Sequence, residues 1–339
     1  MSSTSQVTDL ADLRRDLITR VSDVTGNTDV NTLADRMLNT ALHDIHLNPN
    51  NHPYWAIRRG TLLTHAPYST GTVTITAATS RTAVVGTSTL WNTAVTGMGF
   101  NNTRVGGKMI FQGSSEVFEV SAIGSDTTIT ILQRWLGDDL SGATYTYFED
   151  EYALASDFLR PVDLRNFSTD WGIPILGPME FRRKYVRNSL TGQPMNATVF
   201  QLAFSGNTSP RHRVAFYPSP DDEYNIPYNY ITSNLAVSSA GVEQTQLSAT
   251  TDEPIVPLGF RHVIVLGALY NWYRDIGDDT RSQEAKAEYI DVMQRLAGTT
   301  NMGADRPRIR PTLRRYLPRS AALGRFDVNN RFDQMRDWK

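Results

Sequence analysis

The chain contains no cysteine. Disulfides and thiolate zinc sites are therefore excluded, and an intracellular protein, or a particle assembled in the cytoplasm, is expected. Long apolar runs are missing too. The longest lies near Val263–Leu269, far short of the roughly 20 residues that cross a bilayer, so it reads as a buried helix and no membrane partner is expected. Met1-Ser2-Ser3-Thr4 shows no basic stretch leading into an apolar one, so no signal peptide is expected.

Catalytic motifs are equally sparse. There is no G-x-S-x-G elbow and no Walker-type GK[ST]; Gly97-Met98-Gly99 lacks a third glycine and a following helix. His52, His65, His212 and His262 follow no triad pattern, and His262, inside the apolar run, reads as a satisfied core histidine. His43-Asp44-Ile45-His46 places two histidines at i, i+3, but Leu42 and Ile45 hold the core stripe, so both rings are expected to face solvent. Gly137-Asp138-Asp139 and Gly277-Asp278-Asp279 are expected as turn and helix-start punctuation. No catalytic residue, metal or cofactor is expected, and an enzyme is the least favoured class.

What is present is a globular composition: 339 residues, 40% hydrophobic and 20% charged. The formal net charge of −2 hides an asymmetry. From Ala304 onward nine Arg and one Lys face four Asp, a net of +6 on a body of −8. An acidic body with a basic arm points to a binding segment. Pro307, Pro311 and Pro318 forbid a long helix there.

Periodicity divides the rest. Leu10, Leu13, Leu17, Val21 and Val24 predict one amphipathic helix, and Val30, Leu33, Ala34, Met37, Leu38, Ala41, Leu42 and Ile45 a second, capped by Asn27 or Thr28. Between Thr70 and Phe148 six short strands are expected: Thr72–Thr76, Thr82–Val85, Lys108–Phe111, Glu116–Ile123, Thr127–Leu132 and Ala143–Phe148. A short helix is expected from Tyr152 to Phe158, ended by Arg160-Pro161, and another over Met179–Tyr185. Strands Phe200–Phe204, Arg213–Tyr217 and Tyr224–Thr232 follow. Pro257 opens an apolar helix that Gly277 ends. A last helix, capped by Asp279 or Thr280, carries the stripe Ala285, Tyr289, Val292, Met293, Leu296 and is closed by Gly298 and Gly303.

The expected class is α+β: a helical bundle from N- and C-terminal helix pairs, an inserted small antiparallel β-barrel or sandwich, a second β meander and an extended C-terminal tail. The units expected are 1–69 (helical hairpin), 70–150 (inserted β domain), 151–303 (meander and helix pair) and 304–339 (basic docking tail).

Four fragments make the chain resemble the head-to-tail adaptor proteins of tailed bacteriophages. They are the N-terminal hairpin; Gly86-Thr87-Ser88-Thr89-Leu90-Trp91 with Gly107-Lys108-Met109-Ile110, Val117-Phe118-Glu119-Val120 and Thr127–Leu132; Phe216-Tyr217-Pro218-Ser219-Pro220-Asp221 leading to Tyr228-Asn229-Tyr230; and Glu253-Pro254-Ile255-Val256-Pro257 with the two helices after it. The resemblance implies a structural protein of the virion neck that forms a homo-oligomeric ring, expected to be a dodecamer, beneath the portal. It implies docking on the portal protein through the C-terminal arm, contacts with tail or nozzle proteins on the other face, and DNA passing through the lumen without sequence readout. In the arm, Arg308, Arg310, Arg314, Arg315, Arg319, Arg325 and Arg331 are the expected forks for portal carboxylates, and Tyr316, Phe326, Phe332 and Trp338 the expected anchors.

Three alternatives stand beside this. One is a different neck or tail component: a stopper, hub or nozzle. Another is nucleic-acid binding through clusters such as Arg182-Arg183-Lys184 or Arg314-Arg315-Tyr316, which the acidic body disfavours. The third is a carbohydrate- or receptor-binding protein with Trp91 or Trp135 as a sugar platform, against which core packing of both rings is favoured.

Overall fold

The computed structural model describes residues 7–21, 28–47, 54–166, 171–185, 190–202 and 211–300. It is a mixed α+β structure, mostly strands, with five α-helices among the described residues. Helices α1 (Leu10–Val21) and α2 (Thr28–Leu47) come first. Their apolar stripes, Leu10, Leu13, Leu17 and Ile18 on α1 and Ala34, Met37, Leu38, Ala41, Leu42 and Ile45 on α2, are buried as their spacing predicts. Arg14 clasps Asp35 bidentately at 2.7 and 2.6 Å, tying α1 to α2. Asp9 caps α1, its carboxylate accepting the Asp12 N–H at 2.9 Å.

After Tyr54–Ala56 the chain forms β1 (Ile57–Leu63). It then leaves to build a separate seven-stranded sheet from β2 (Thr72–Ile75), β3 (Ala83–Thr87), β4 (Lys108–Phe111), β5 (Phe118–Ser125), β6 (Thr128–Ile131), β7 (Leu140–Ala143) and β8 (Tyr145–Phe148). Spatial order is β7-β2-β3-β6-β5-β4-β8, and the antiparallel sheet curls into a half barrel. In β2, β3, β4 and β6 buried and outward residues alternate, as strands with one covered face must. The concave side is filled by Trp91, Met109, Phe111, Phe118, Trp135, Tyr145 and Tyr147.

The chain returns at β9 (Glu151–Ala153) and β10 (Phe158–Asn166), followed by β11 (Trp171–Gly172), β12 (Ile175–Leu176), α3 (Pro178–Lys184), β13 (Asn196–Gln201), β14 (His212–Tyr217) and β15 (Asn225–Thr232). Two four-stranded sheets result, β1-β15-β10-β11 and β12-β13-β14-β9. They share one core that includes Leu62, Phe158, Leu164, Tyr228 and Tyr230 from the first, and Tyr152, Ala197, Val214 and Phe216 from the second. The half barrel is thus inserted between a strand of one sheet and a strand of the other.

Small strands β16 (Ala236–Val237), β17 (Glu243–Gln244) and β18 (Glu253–Pro254) lead to α4 (His262–Asp275) and α5 (Asp279–Thr300). Ten consecutive or near-consecutive residues of α4, Val263–Leu269 and Asn271–Tyr273, are buried. α4 packs against α1, α2 and α5, and all four helices join one apolar cluster with Leu235, Ala236, Leu247 and Val256. Backbone bonds reinforce the union of chain ends. The free N–H groups of Leu10 and Ala11 at the start of α1 donate to Asp252 and Thr250 carbonyls, each at 3.0 Å. Asn39 both donates to the Leu247 carbonyl at 3.0 Å and accepts its N–H at 2.8 Å. Arg261, 9% exposed, donates to the carbonyls of Thr8 and Val256 and to Glu253.

Several expectations are corrected. Tyr152–Phe158 is not helical: β9 and the start of β10 occupy it, because Glu151–Ala153 finds a partner in β14 and Phe158 one in Thr232. Pro161 sits inside β10 where the register with β15 shifts, so its missing N–H is tolerated. The inserted sheet has a seventh strand, β7, absent from the sequence reading. So does the central layer in β1, paired with β15 from Ile57↔Ile231 to Leu63↔Asn225. Gly60 is needed there, since a Cβ would lie 2.4 Å from the Tyr228 ring. β13 begins at Asn196, ahead of the expected Phe200, and residues 203–210 lie outside the described residues. The cap of α5 is Asp278, whose Oδ1 accepts the Arg281 N–H at 3.1 Å, in place of Asp279 or Thr280. α5 also runs through Gly298 to Thr300; Gly303 lies outside the described residues.

Arg261 stitches three separate segments from a buried position. Arg261→Ala should lower unfolding free energy by about 2–3 kcal/mol in urea titrations, since charged hydrogen bonds are lost and two carbonyls are orphaned. The exposed i, i+4 pair Arg20–Asp16 gives a contrast: Arg20→Ala should cost no more than about 0.5 kcal/mol. Equal costs would contradict the role given to Arg261.

Candidate functional site

The contact residues expected from the sequence, Arg308, Arg310, Arg314, Arg315, Tyr316, Arg319, Arg325, Phe326, Arg331, Phe332 and Trp338, all lie outside the described residues. The described body ends on α5 at Thr300. What the body offers is therefore the surface around that helix, the junction of the inserted sheet, and the exposed cations of α3.

Beside α5 lies an open cleft of about 440 Å³. α2 contributes Ala41, Asp44 and Leu47, α4 contributes Gly267, Tyr270 and Asn271, and α5 contributes Tyr289. Gly267 brings α5 close: a Cβ there would meet Ala41 Cβ at 3.0 Å and the Tyr289 ring at 3.2 Å. Burial, with the Asp44 charge nearby, pushes the Tyr289 hydroxyl up to about 12. Asn271 is 5% exposed. Arg274 and Lys286 lie 5.4 and 5.6 Å from the Tyr270 ring centre.

The half barrel is fastened to the central sheets by a buried polar knot. Glu149 and Asp150 are buried. Arg104 clasps Glu149 through both carboxylate oxygens. Lys108 donates to Asp150 at 2.5 Å and to Glu151 at 3.2 Å. Tyr147 donates to Glu149 Oε1 at 2.5 Å, and Tyr152 to the Glu149 carbonyl at 3.1 Å while accepting the His65 N–H at 3.1 Å. Tyr68 and Tyr147 exchange backbone bonds of 2.8 and 2.7 Å across the two connections. Each charge here faces an opposite charge, the arrangement a buried ion pair needs. Burial holds the Tyr147 and Tyr152 hydroxyls well above their usual range. Asp150 and Glu151, against a burial penalty of opposite sign, leave Lys108 above its own.

On α3, Arg182, Arg183 and Lys184 are exposed, and Phe181 is the buried side chain that seats the helix. Tyr185, just beyond, stacks on Tyr217 with ring centres 3.8 Å apart.

Other expected residues are relocated. His46 does not face solvent: it is 4% exposed and its Nε2–H donates to the Thr232 carbonyl at 2.6 Å, with burial keeping it below its usual pKa. His43 is exposed as expected, whereas His262 is exposed and so is no core histidine. Trp91 is fully buried, with its indole N–H donating to Tyr145 Oη at 2.9 Å. Trp135 is 8% exposed and donates to the Asp138 carbonyl at 2.7 Å. Neither ring can serve as a sugar platform. Among the described residues no group of three His, Cys, Asp or Glu could hold a metal ion, and no helix is long and apolar enough to cross a membrane. The sequence reading missed the junction knot, although the acidic run Glu149-Asp150-Glu151 was its visible sign. It missed the α2–α4–α5 cleft as well, which has no local signature.

No protein-family model matches the chain, and no curated protein matches it significantly.

The knot contributes to a pH dependence that Tyr145, Tyr228, Tyr230 and Tyr289, whose hydroxyls burial also raises, share. Tyr147 and Tyr152 keep their protons in the folded state at a pH where unfolded tyrosines, ordinary pKa about 10, lose theirs. Lys108 likewise holds its proton longer folded than unfolded. All three bind more protons folded, so stability is fully present below about pH 10 and falls above it, by about 1.4 kcal/mol per pH unit for each group. Urea midpoints between about pH 8 and 11 should be level and then drop. Tyr147→Phe should make the drop shallower by about 1.4 kcal/mol per pH unit, and an unchanged slope in that variant would refute the assignment.

Proposed function

We propose that the chain is a structural head-to-tail adaptor of a tailed bacteriophage. It would form a ring beneath the portal, dock through its Arg-rich segment after about Gly303, and link the capsid to tail components while DNA passes through the lumen. The observation that carries this reading is the joining of α1 and α2 with α4 and α5 in one apolar cluster. That core hands the +6 segment directly on from its last helix, while the half barrel is held on a different layer. In this reading the four long helices act as a bundle, the ring-forming body, and the arm is a separate binding element. The charge contrast between arm and body favours a protein partner with carboxylates that arginine forks can pair. Ordering the arm costs about 1–2 kcal/mol per residue in backbone entropy, which Tyr316, Phe326, Phe332 and Trp338 would offset by burial on the portal. The half barrel would decorate the outside of the ring or meet tail components.

A stopper, hub or nozzle role shares the same architecture and differs in where the arm docks. The sugar-binding alternative loses its two proposed tryptophans to the core.

Deleting residues 304–339 should leave a soluble body with an unchanged circular dichroism spectrum and unfolding midpoint, and should reduce portal binding in pull-downs to background. Retained portal binding by the truncated chain would sink the adaptor reading.

A further inference from the structure

The cleft between α2, α4 and α5 has the chemistry of a guanidinium seat. Asp44 is exposed and has no cationic partner among the described residues. Asn271 lines the same cleft at 5% exposure and brings an amide that can both accept and donate. Tyr289 supplies an aromatic wall, and Ala41 and Gly267 a narrow floor. A planar cation with several donors fits this set. It can stack on the Tyr289 ring while donating to the Asp44 carboxylate and the Asn271 side-chain oxygen. A lysine ammonium lacks the planar fork. Lys286 and Arg274 already lie over Tyr270, which leaves the half-buried Tyr289 ring as the cleft's other aromatic wall.

We propose that this cleft is the resting seat of the chain's own Arg-rich segment, filled by one of Arg306, Arg308 and Arg310. Reach supports this occupant. Tyr289 lies eleven residues before Thr300 on α5, about 16 Å of helix at about 1.5 Å per residue. An extended segment covers that distance in about five residues. Arg306, six residues past Thr300, is the first arginine able to return, and Arg308 and Arg310 follow. Charge supports it too: residues 218–303 carry twelve acidic and five basic side chains, the reverse of the segment beyond. The inference rests on the adaptor reading for its purpose only, a segment stowed until a partner draws it out; the seat exists or fails without any portal.

The absence of cysteine gives a clean test in the full chain. Leu47→Cys, on the exposed lip of the cleft, is combined with Ile309→Cys between two of the arginines. Mild oxidation should close an intrachain disulfide at a rate independent of protein concentration. Adding Asp44→Lys should slow it roughly three- to tenfold, an exposed attraction turned into repulsion. A control pair, Leu132→Cys on the inserted sheet with Ile309→Cys, should close more slowly than the cleft pair. Equal rates for the two pairs, indifference to Asp44→Lys, or a product found only between chains would each overturn the proposal. Portal binding is measured separately, so a failed adaptor reading and an empty seat give different results.

Discussion

The fold depends on one helix that has almost no solvent face. α4 buries Val263 through Leu269 and Asn271 through Tyr273, so it must be surrounded before it is stable. Its partners come from opposite ends of the sequence: α1 and α2 before the sheets, α5 after them. Burial of a single Leu- or Ile-sized side chain is worth about 1.5–3 kcal/mol. The apolar face of α4 therefore compels the two ends to meet. The chain between Leu47 and Leu235 is a long excursion from that union, into two packed sheets with a half barrel inserted between their strands. The polar ties at the seam, Arg261 to Thr8, Asn39 to Leu247 and the α1 amides to the 250–252 turn, fix the register of an association the apolar cluster drives.

The half barrel solves a different problem. It is attached by only two connections, and charges are buried where they meet. Arg104, Lys108, Glu149, Asp150 and Glu151 form mutual pairs at that point. Buried ion pairs seldom add much net stability, because desolvation offsets the attraction. They do penalise any arrangement in which one partner is missing. The knot is therefore best understood as setting the angle of the half barrel on the body.

Legibility in the sequence followed locality. α1, α2, α4 and α5 could be read because their stripes are continuous, β2 and β6 because Thr-Val-Thr-Ile and Thr-Ile-Thr-Ile alternate strictly, and β4 because Lys-Met-Ile-Phe is a short apolar run bounded by glycines. Strand β1 could not. Its sequence, Ile-Arg-Arg-Gly-Thr-Leu-Leu, has no clean alternation, its partner β15 lies far along the chain, and its glycine answers to the Tyr228 ring. Tyr152–Phe158 read as helix because alanine and leucine favour it, and pairing with β14 and β15 overrode that preference. Helical spacing placed Ile45 correctly and misjudged its neighbour His46, whose burial comes from the Thr232 carbonyl beside it. The cleft drew nothing from local pattern, since each of three helices gives it only one or two polar groups. The Arg-rich segment, by contrast, is legible only as charge and composition, and its role rests on those.

These features describe a body whose ends are locked together, an outrigger sheet at a fixed angle, and a basic segment issuing from the locked end. A cryo-EM reconstruction of the neck of virions carrying this chain tests the role most directly. The adaptor role predicts a ring of its bodies against the portal, with density for residues after Gly303 running into the portal. Density for the bodies at the tail tip or on the capsid surface, away from the portal, would contradict it.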